Sequence, residues 1–210
     1  MGKKTYVAMV LDESGSMSVA RDITINNFNE QVESLVMGST DGMETFVSLY
    51  TFSNGVTEVI KTVPVSETPK LDHDHYTPGG MTAMYDGVGT AIKALQAIEV
   101  SPHDDVAFLV IIFSDGQENN SREFKQSDIA EMIQEVQGNG NWTVTYMGAV
   151  HDLDKLCADM NLLKGNVTTV DVSSAKGYSD GMHRTTKSVG AFMSCRAAGA
   201  SAVMSFYNGD

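Results

Sequence analysis

Apolar positions along the chain fall into two kinds of run, and their alternation predicts the elements. Tyr6-Val7-Ala8-Met9-Val10-Leu11 is continuously apolar, as expected of a strand covered on both faces of a parallel sheet, and it stops at Asp12. Ile25, Phe28, Val32, Leu35 and Val36 then recur at helical spacing up to Gly38, predicting a helix of roughly Arg21 to Met37. Thr45 to Phe52 and Val56 to Val65 flank Ser53-Asn54-Gly55. An Asn-Gly pair between strand-like runs predicts a hairpin, so the third strand should be antiparallel, with Pro64 at an edge.

Downstream, a loop from Ser66 to Met81 precedes the amphipathic set Met84, Val88, Ala91, Ile92 and Leu95. Asp105 to Phe113 is a second wholly apolar strand, ending in Ser114-Asp115-Gly116. A helix capped by Ser127 and closed by Gly138 follows, then a strand from Trp142 to Val150 and a short helix from His151 to Met160. Val167 to Val172 reads as the last strand. A long final helix runs from Ser179 through Met182, Thr186, Val189, Met193 and Arg196. Alternating strands and helices predict one α/β domain over residues 1–210. Its sheet is doubly wound, mostly parallel and six-stranded, with one antiparallel edge strand and helices on both faces. Ligands of such sheets sit beyond the carboxyl ends of the strands where strand order reverses.

Composition narrows the function classes. With 14 basic and 27 acidic residues the net charge is −13, which disfavours nucleic acid, whose binding needs Lys and Arg to displace counterions. Four basic and two acidic residues lie in 172–210, so the rest of the chain carries −15. No signal peptide and no membrane span are expected, since the longest apolar run, Val106 to Phe113, has strand length. Cys157 and Cys195 lack metal-type spacing and read as buried thiols of a reducing, cytoplasmic setting. The sequon residues Asn119, Asn141 and Asn166 read as turn asparagines, acidic residues such as Asp128 and Asp152 as helix caps, and the 13 Met as core fillers.

The candidate chemistry sits at the strand ends. Asp12, Ser14 and Ser16 alternate, so an extended turn would aim all three one way, with Gly15 supplying a φ closed to other residues. With Thr82 and Asp115 the set is all oxygen, without His or Cys. A hard cation suits it, Mg²⁺ first, with Mn²⁺ or Ca²⁺ as substitutes, whereas Zn²⁺ would seek His or Cys.

Three segments resemble the von Willebrand factor type A family and its metal-ion-dependent adhesion site: Asp12-Glu13-Ser14-Gly15-Ser16, Gly80-Met81-Thr82-Ala83-Met84-Tyr85-Asp86 and Phe113-Ser114-Asp115-Gly116. The resemblance implies that Ser14, Ser16 and Thr82 bind the ion directly and that Asp12 and Asp115 act directly or through water. It also implies an open coordination position for a partner's Glu or Asp, and a last helix that moves with the site. The wording of the second and third loops is similar to small single-domain bacterial and phage members, some of which work beside MoxR-type AAA+ ATPases. That likeness implies a non-enzymatic adaptor in an intracellular bacterial or phage assembly.

Two rival readings and one side site are weighed against this. A haloacid-dehalogenase-like phosphotransferase would use Asp12 as nucleophile on Mg²⁺, but position 14 is Ser where a second Asp is needed. A structural subunit would use the same residues as turn and cap. No nucleophile elbow, Walker A loop or complete dinucleotide fingerprint is present. His73 and His75, on one side of an extended segment, form a candidate second metal pair beside the alternative of a solvated loop.

Overall fold

The computed structural model describes residues 2–40, 42–115, 117–149 and 153–207. Its elements in chain order are β1 (Lys3–Asp12), α1 (Arg21–Gly38), β2 (Met43–Phe52), β3 (Val56–Pro64), α2 (Met84–Gln96), β4 (Asp105–Ser114), α3 (Gln126–Gly138), β5 (Trp142–Gly148), α4 (Leu153–Met160), β6 (Val167–Thr169) and α5 (Ala175–Ala197). The sheet order is β3-β2-β1-β4-β5-β6. Every pairing is parallel except β2 with β3, the antiparallel edge predicted from the Asn-Gly turn. The chain leaves β1 on one side, builds β2 and β3, and returns to place β4 on the other side. The order therefore reverses between β1 and β4, and ligands of such sheets sit beyond the carboxyl ends at that point.

The continuous apolar runs are explained by burial on both faces. On β1, Val7, Met9 and Leu11 pack with α1 and α5 through Phe28, Leu35, Val189 and Phe192. Tyr6, Ala8 and Val10 pack on the other face with Val88 and Ile92 of α2 and Ile129 and Ile133 of α3. At the lower end of this second face Tyr6 stacks on Phe46 and Phe108, and Phe108 on Trp142, an aromatic row crossing four strands.

Several boundaries differ from the pattern reading, each for a local reason. β1 begins at Lys3, because pairing with β2 and β4 extends past the apolar run. The N-cap of α3 is Lys125, whose N–H donates to the Asp128 carboxylate one turn on at 2.8 Å; Ser127 lies inside the first turn. α5 begins at Ala175, four residues before Ser179, because Ser174 Oγ accepts the Gly177 N–H at 3.0 Å and caps it. β6 stops at Thr169, where its pairing with β5 ends. Val36 is exposed although it follows the helical pattern, and Cys195 is exposed while Cys157 is buried. Met37, Met81 and Met204 also face solvent, so the methionines are not uniformly core. Asn166 is fully buried and accepts the Phe206 N–H at 2.8 Å. The expectations for Gly116, Val150, His151 and Asp152 fall outside the described residues. Among the described residues, no helix is long and apolar enough to cross a membrane.

Candidate metal centre

β1 delivers Asp12 to the reversal point, where it is 0% exposed. One carboxylate oxygen accepts the Ser14 N–H at 2.8 Å and the other accepts the Ser114 hydroxyl at 2.5 Å. The Asp12 carbonyl accepts the buried Tyr76 hydroxyl at 2.5 Å. Ser14 Oγ and Ser16 Oγ stand 3.1 Å apart, and Ser16 donates to Asp115 Oδ1 at 2.7 Å. Since Ser16 has one proton and gives it to Asp115, Ser14 is the donor to Ser16. Tyr178 of α5 donates to the second Asp115 oxygen at 2.7 Å. Four of the five sequence-selected residues, Asp12, Ser14, Ser16 and Asp115, therefore form one hydrogen-bonded cluster.

Thr82 makes no hydrogen bond to the cluster among those described; its loop is seated beside it. The Gly15 N–H donates to Gly80 O at 3.2 Å, and the Gly79 N–H to Glu13 O at 2.8 Å, which seats the second loop against the first. Gly15 begins a 3₁₀ turn (Gly15–Ala20) and is not among the positive-φ glycines; the left-handed residue is Gly80, at φ 79°. The hydroxyls converge through the 3₁₀ turn, and the glycine requirement belongs to the next loop. A Cβ at Gly80 would also meet the Asn54 side chain at 2.6 Å. Asn54, the hairpin residue, accepts the Met81 N–H at 3.0 Å through its side chain and the Asn120 side-chain N–H at 3.0 Å through its carbonyl. Thr82 is buried, and its N–H donates to Asn119 Oδ1 at 2.9 Å.

Asp86, in the first turn of α2, fastens the segment after Asp115. Its carboxylate accepts the N–H groups of Arg122, Glu123 and Phe124 at 2.9, 3.0 and 2.9 Å. Asp86→Asn keeps one acceptor oxygen but turns an NH₂ toward a backbone N–H, so a loss of about 1–2 kcal/mol in chemical denaturation is expected. An unchanged midpoint would show that these three bonds do not hold the loop.

The cluster is electrostatically unbalanced. Burial pushes the Asp12 carboxyl above the usual carboxylate range; the Ser114 and Ser14 hydrogen bonds pull it back, and the charge of Asp115 adds to the upward push. Burial also raises the phenols of Tyr76 and Tyr178, so both remain proton donors through neutral pH. The hydrogen-bond partners of Asp12 and Asp115 described above are neutral hydroxyls and a backbone N–H. Among the described residues no three His, Cys, Asp or Glu side chains gather in a metal-holding group. An ion here would thus rest on two carboxylates and three hydroxyls, a carboxylate-poor, all-oxygen set that suits Mg²⁺ and leaves a soft-metal site without its ligands. A wholly buried carboxylate facing a second one across neutral partners is the arrangement a cation relieves. The residues fit the group.

No family model matches the sequence, and no curated protein is significantly similar to it. Solved structures do resemble the fold. A von Willebrand factor type A protein from Catenulispora acidiphila superposes with a TM-score of 0.58 at 17% identity, over 90% of this chain and 43% of that one. The vWF domain of the type V pili tip protein Mfa5 from Porphyromonas gingivalis gives 0.63 at 11% identity, covering 92% and 97%. The fold is that of a von Willebrand factor type A domain. Proximal thread matrix protein 1 of the mussel byssus shares the von Willebrand factor type A-like architecture of this chain at a TM-score of 0.59 and 21% identity, over 89% and 46%. The chain thus spans under half the length of the Catenulispora and mussel structures.

Within this von Willebrand factor type A fold, the pattern reading missed Tyr76, Tyr178, Asn54 and Asn119. Tyr76 and Tyr178 lie 64 and 63 residues from the groups they touch, and no local spacing marks them. Asn54 was readable as a turn residue but not as a clamp on the Thr82 loop. His73 and His75 are not brought together as a metal pair. His73 bonds Asp22 and His75 bonds Asp72, both at 2.7 Å and in solvent. The Asp72 hydrogen bond raises the His75 pKa above 6.5, and the His75 hydrogen bond lowers that of Asp72 below 3.8. The histidine's contribution to stability is whole below 6.5 and lost as pH rises through its raised value. That of Asp72 is whole above 3.8 and lost as pH falls through its lowered value. An NMR titration is expected to place the His75 midpoint above 6.5 and to return it toward 6.5 in Asp72→Asn; identical midpoints would remove the pairing.

Proposed function

We propose that this protein is a non-enzymatic, metal-dependent protein-binding module. Asp12, Ser14, Ser16, Thr82 and Asp115 hold Mg²⁺ and a protein partner docks on it through a Glu or Asp. The observation that supports the reading is the single chain of hydrogen bonds Ser14–Ser16–Asp115–Tyr178, set beside a buried Asp12 at the reversal point of the sheet. Bound there, Mg²⁺ would supply positive charge and an open position for a partner's carboxylate. The chain's own residues do the rest. Ser114 and the Ser14 N–H orient Asp12, Tyr178 orients Asp115, and Asn54 with Asn119 hold the Thr82 loop against the Gly15 turn.

The phosphotransferase reading is not favoured, because both Asp12 oxygens are engaged and Ser14 stands where a second Asp would be required. The reading takes the module to be cytoplasmic, an adaptor in a bacterial or phage assembly, with a MoxR-type ATPase as one partner class. Sodium acetate tests the carboxylate step by NMR. It is expected to shift resonances of residues 13–17 and 80–83 in Mg²⁺ but not in EDTA, and to shift neither in Thr82→Ala. Equal shifts in both buffers, or none in Mg²⁺, would remove the function.

A further inference from the structure

The rim of the candidate centre carries its own chemistry. Among the described residues the exposed large hydrophobics number seven, and two of them, Val19 at 77% and Met81 at 46%, lie on the loops that bear Ser16 and Thr82. In a 3₁₀ turn residues i and i+3 eclipse, which sets Met17 and Ala20 inward and leaves Ser16 and Val19 together outward. Met81 immediately precedes Thr82, and its backbone is clamped by Asn54 while its side chain stays in solvent. The Gly15–Gly80 hydrogen bond joins the two loops, so both apolar side chains belong to one rim.

Charge decides what can lie on that rim. Residues 12–20, 77–85 and 114–121 contain no Lys or Arg, while Glu13, Asp115 and Glu118 lie on the same loops. Arg21, next in the chain, is spent on the carbonyls of His73 and Tyr76. Two further cations adjoin these segments in the chain: Arg122, directly after Ser121, and Lys176, in the first turn of α5 two residues before Tyr178. A run of acidic residues would therefore meet repulsion on three loops once its first carboxylate was seated. An apolar neighbour would instead cover Val19 and Met81.

We infer that the partner offers one isolated carboxylate flanked by apolar side chains, not an acidic tract, and that Val19 and Met81 read those flanks. This rests on the carboxylate-docking function above. The probes are three capped tripeptides, Leu-Glu-Leu, Ser-Glu-Ser and Glu-Glu-Glu, titrated into nitrogen-15-labelled protein in Mg²⁺, with the backbone amide resonances of residues 13–17 as reporter in every variant. Leu-Glu-Leu is expected to bind at least fivefold tighter than Ser-Glu-Ser, and Glu-Glu-Glu more weakly than either. In the Val19→Ser/Met81→Ser double variant, both sites being exposed, the Leu-Glu-Leu advantage should fall below twofold. Met204→Ser, exposed after α5, should leave it intact. Binding without preference for flanks, or a preference that survives the double variant, overturns this inference alone. No binding of any peptide in Mg²⁺ overturns the docking function and this inference with it.

Discussion

In Mg²⁺ at a hundredfold its Kd, the protein is expected to gain about 2.7 kcal/mol over its stability in EDTA, while Asp12→Asn gains nothing. For a domain of this length that is roughly 5–10 °C in Tm. Asn is the informative substitution because its oxygen can still accept the Ser14 N–H and its NH₂ can face Ser114 Oγ. The fold therefore survives while the anionic ligand is lost. In EDTA the variant should unfold within about 1 kcal/mol of wild type, since it also removes a buried charge opposed by Asp115. An equal magnesium gain in both proteins would assign the effect to surface charge on a −13 chain. No gain in either would leave these residues as turn and cap.

The second large effect is expected far from the centre. Arg196 of α5 is 0% exposed, and all five of its N–H donors are placed. Nε meets Thr5 Oγ1 at 3.2 Å. One terminal nitrogen meets Asp105 Oδ1 at 3.0 Å and Ala200 O at 2.7 Å, and the other meets Lys4 O at 3.3 Å and Asp105 O at 3.0 Å. All of these partners but Ala200, which follows α5, lie at the starts of β1 and β4, so Arg196 pins the end of α5 to the edge of the sheet opposite the candidate centre. Arg196→Met keeps an apolar stem but leaves the Asp105 carboxylate with the Ser201 hydroxyl alone of these side-chain partners and takes the guanidinium donors from three carbonyls. A loss of about 3–5 kcal/mol is expected in urea denaturation. The magnesium gain, measured on whatever folded protein remains, should stay near its wild-type value, because no centre residue touches Arg196. A loss below about 1 kcal/mol would mean that water replaces the guanidinium at that edge.

Much of the fold was legible because its signals are local. Uninterrupted apolar stretches in β1 and β4 marked strands buried on both faces, and Asn54-Gly55 marked the one antiparallel edge. The three loops of the candidate centre were legible too, since each oxygen-bearing segment directly follows a strand or precedes a helix. What the chain order determined by itself was therefore the alternating architecture and the supply of an all-oxygen donor set at one edge of the sheet.

Tertiary structure decided how those donors meet. Gly15 was expected to hold the special φ, yet Gly80 does, at the point where the second loop packs against Asn54 too closely for a Cβ and its carbonyl accepts the Gly15 N–H. Thr82 is held by Asn119 and its neighbour Met81 by Asn54, Asp115 by a tyrosine from the last helix and Asp12 by Tyr76 and Ser114. Arg196 followed the apolar stripe of α5 without revealing that it was a buried charge with five acceptors. Periodicity reports which side of an element faces the core. Which hydroxyl, carbonyl or carboxylate waits on that side depends on groups as far as 37 or 191 residues away, and only packing brings them within hydrogen-bond reach.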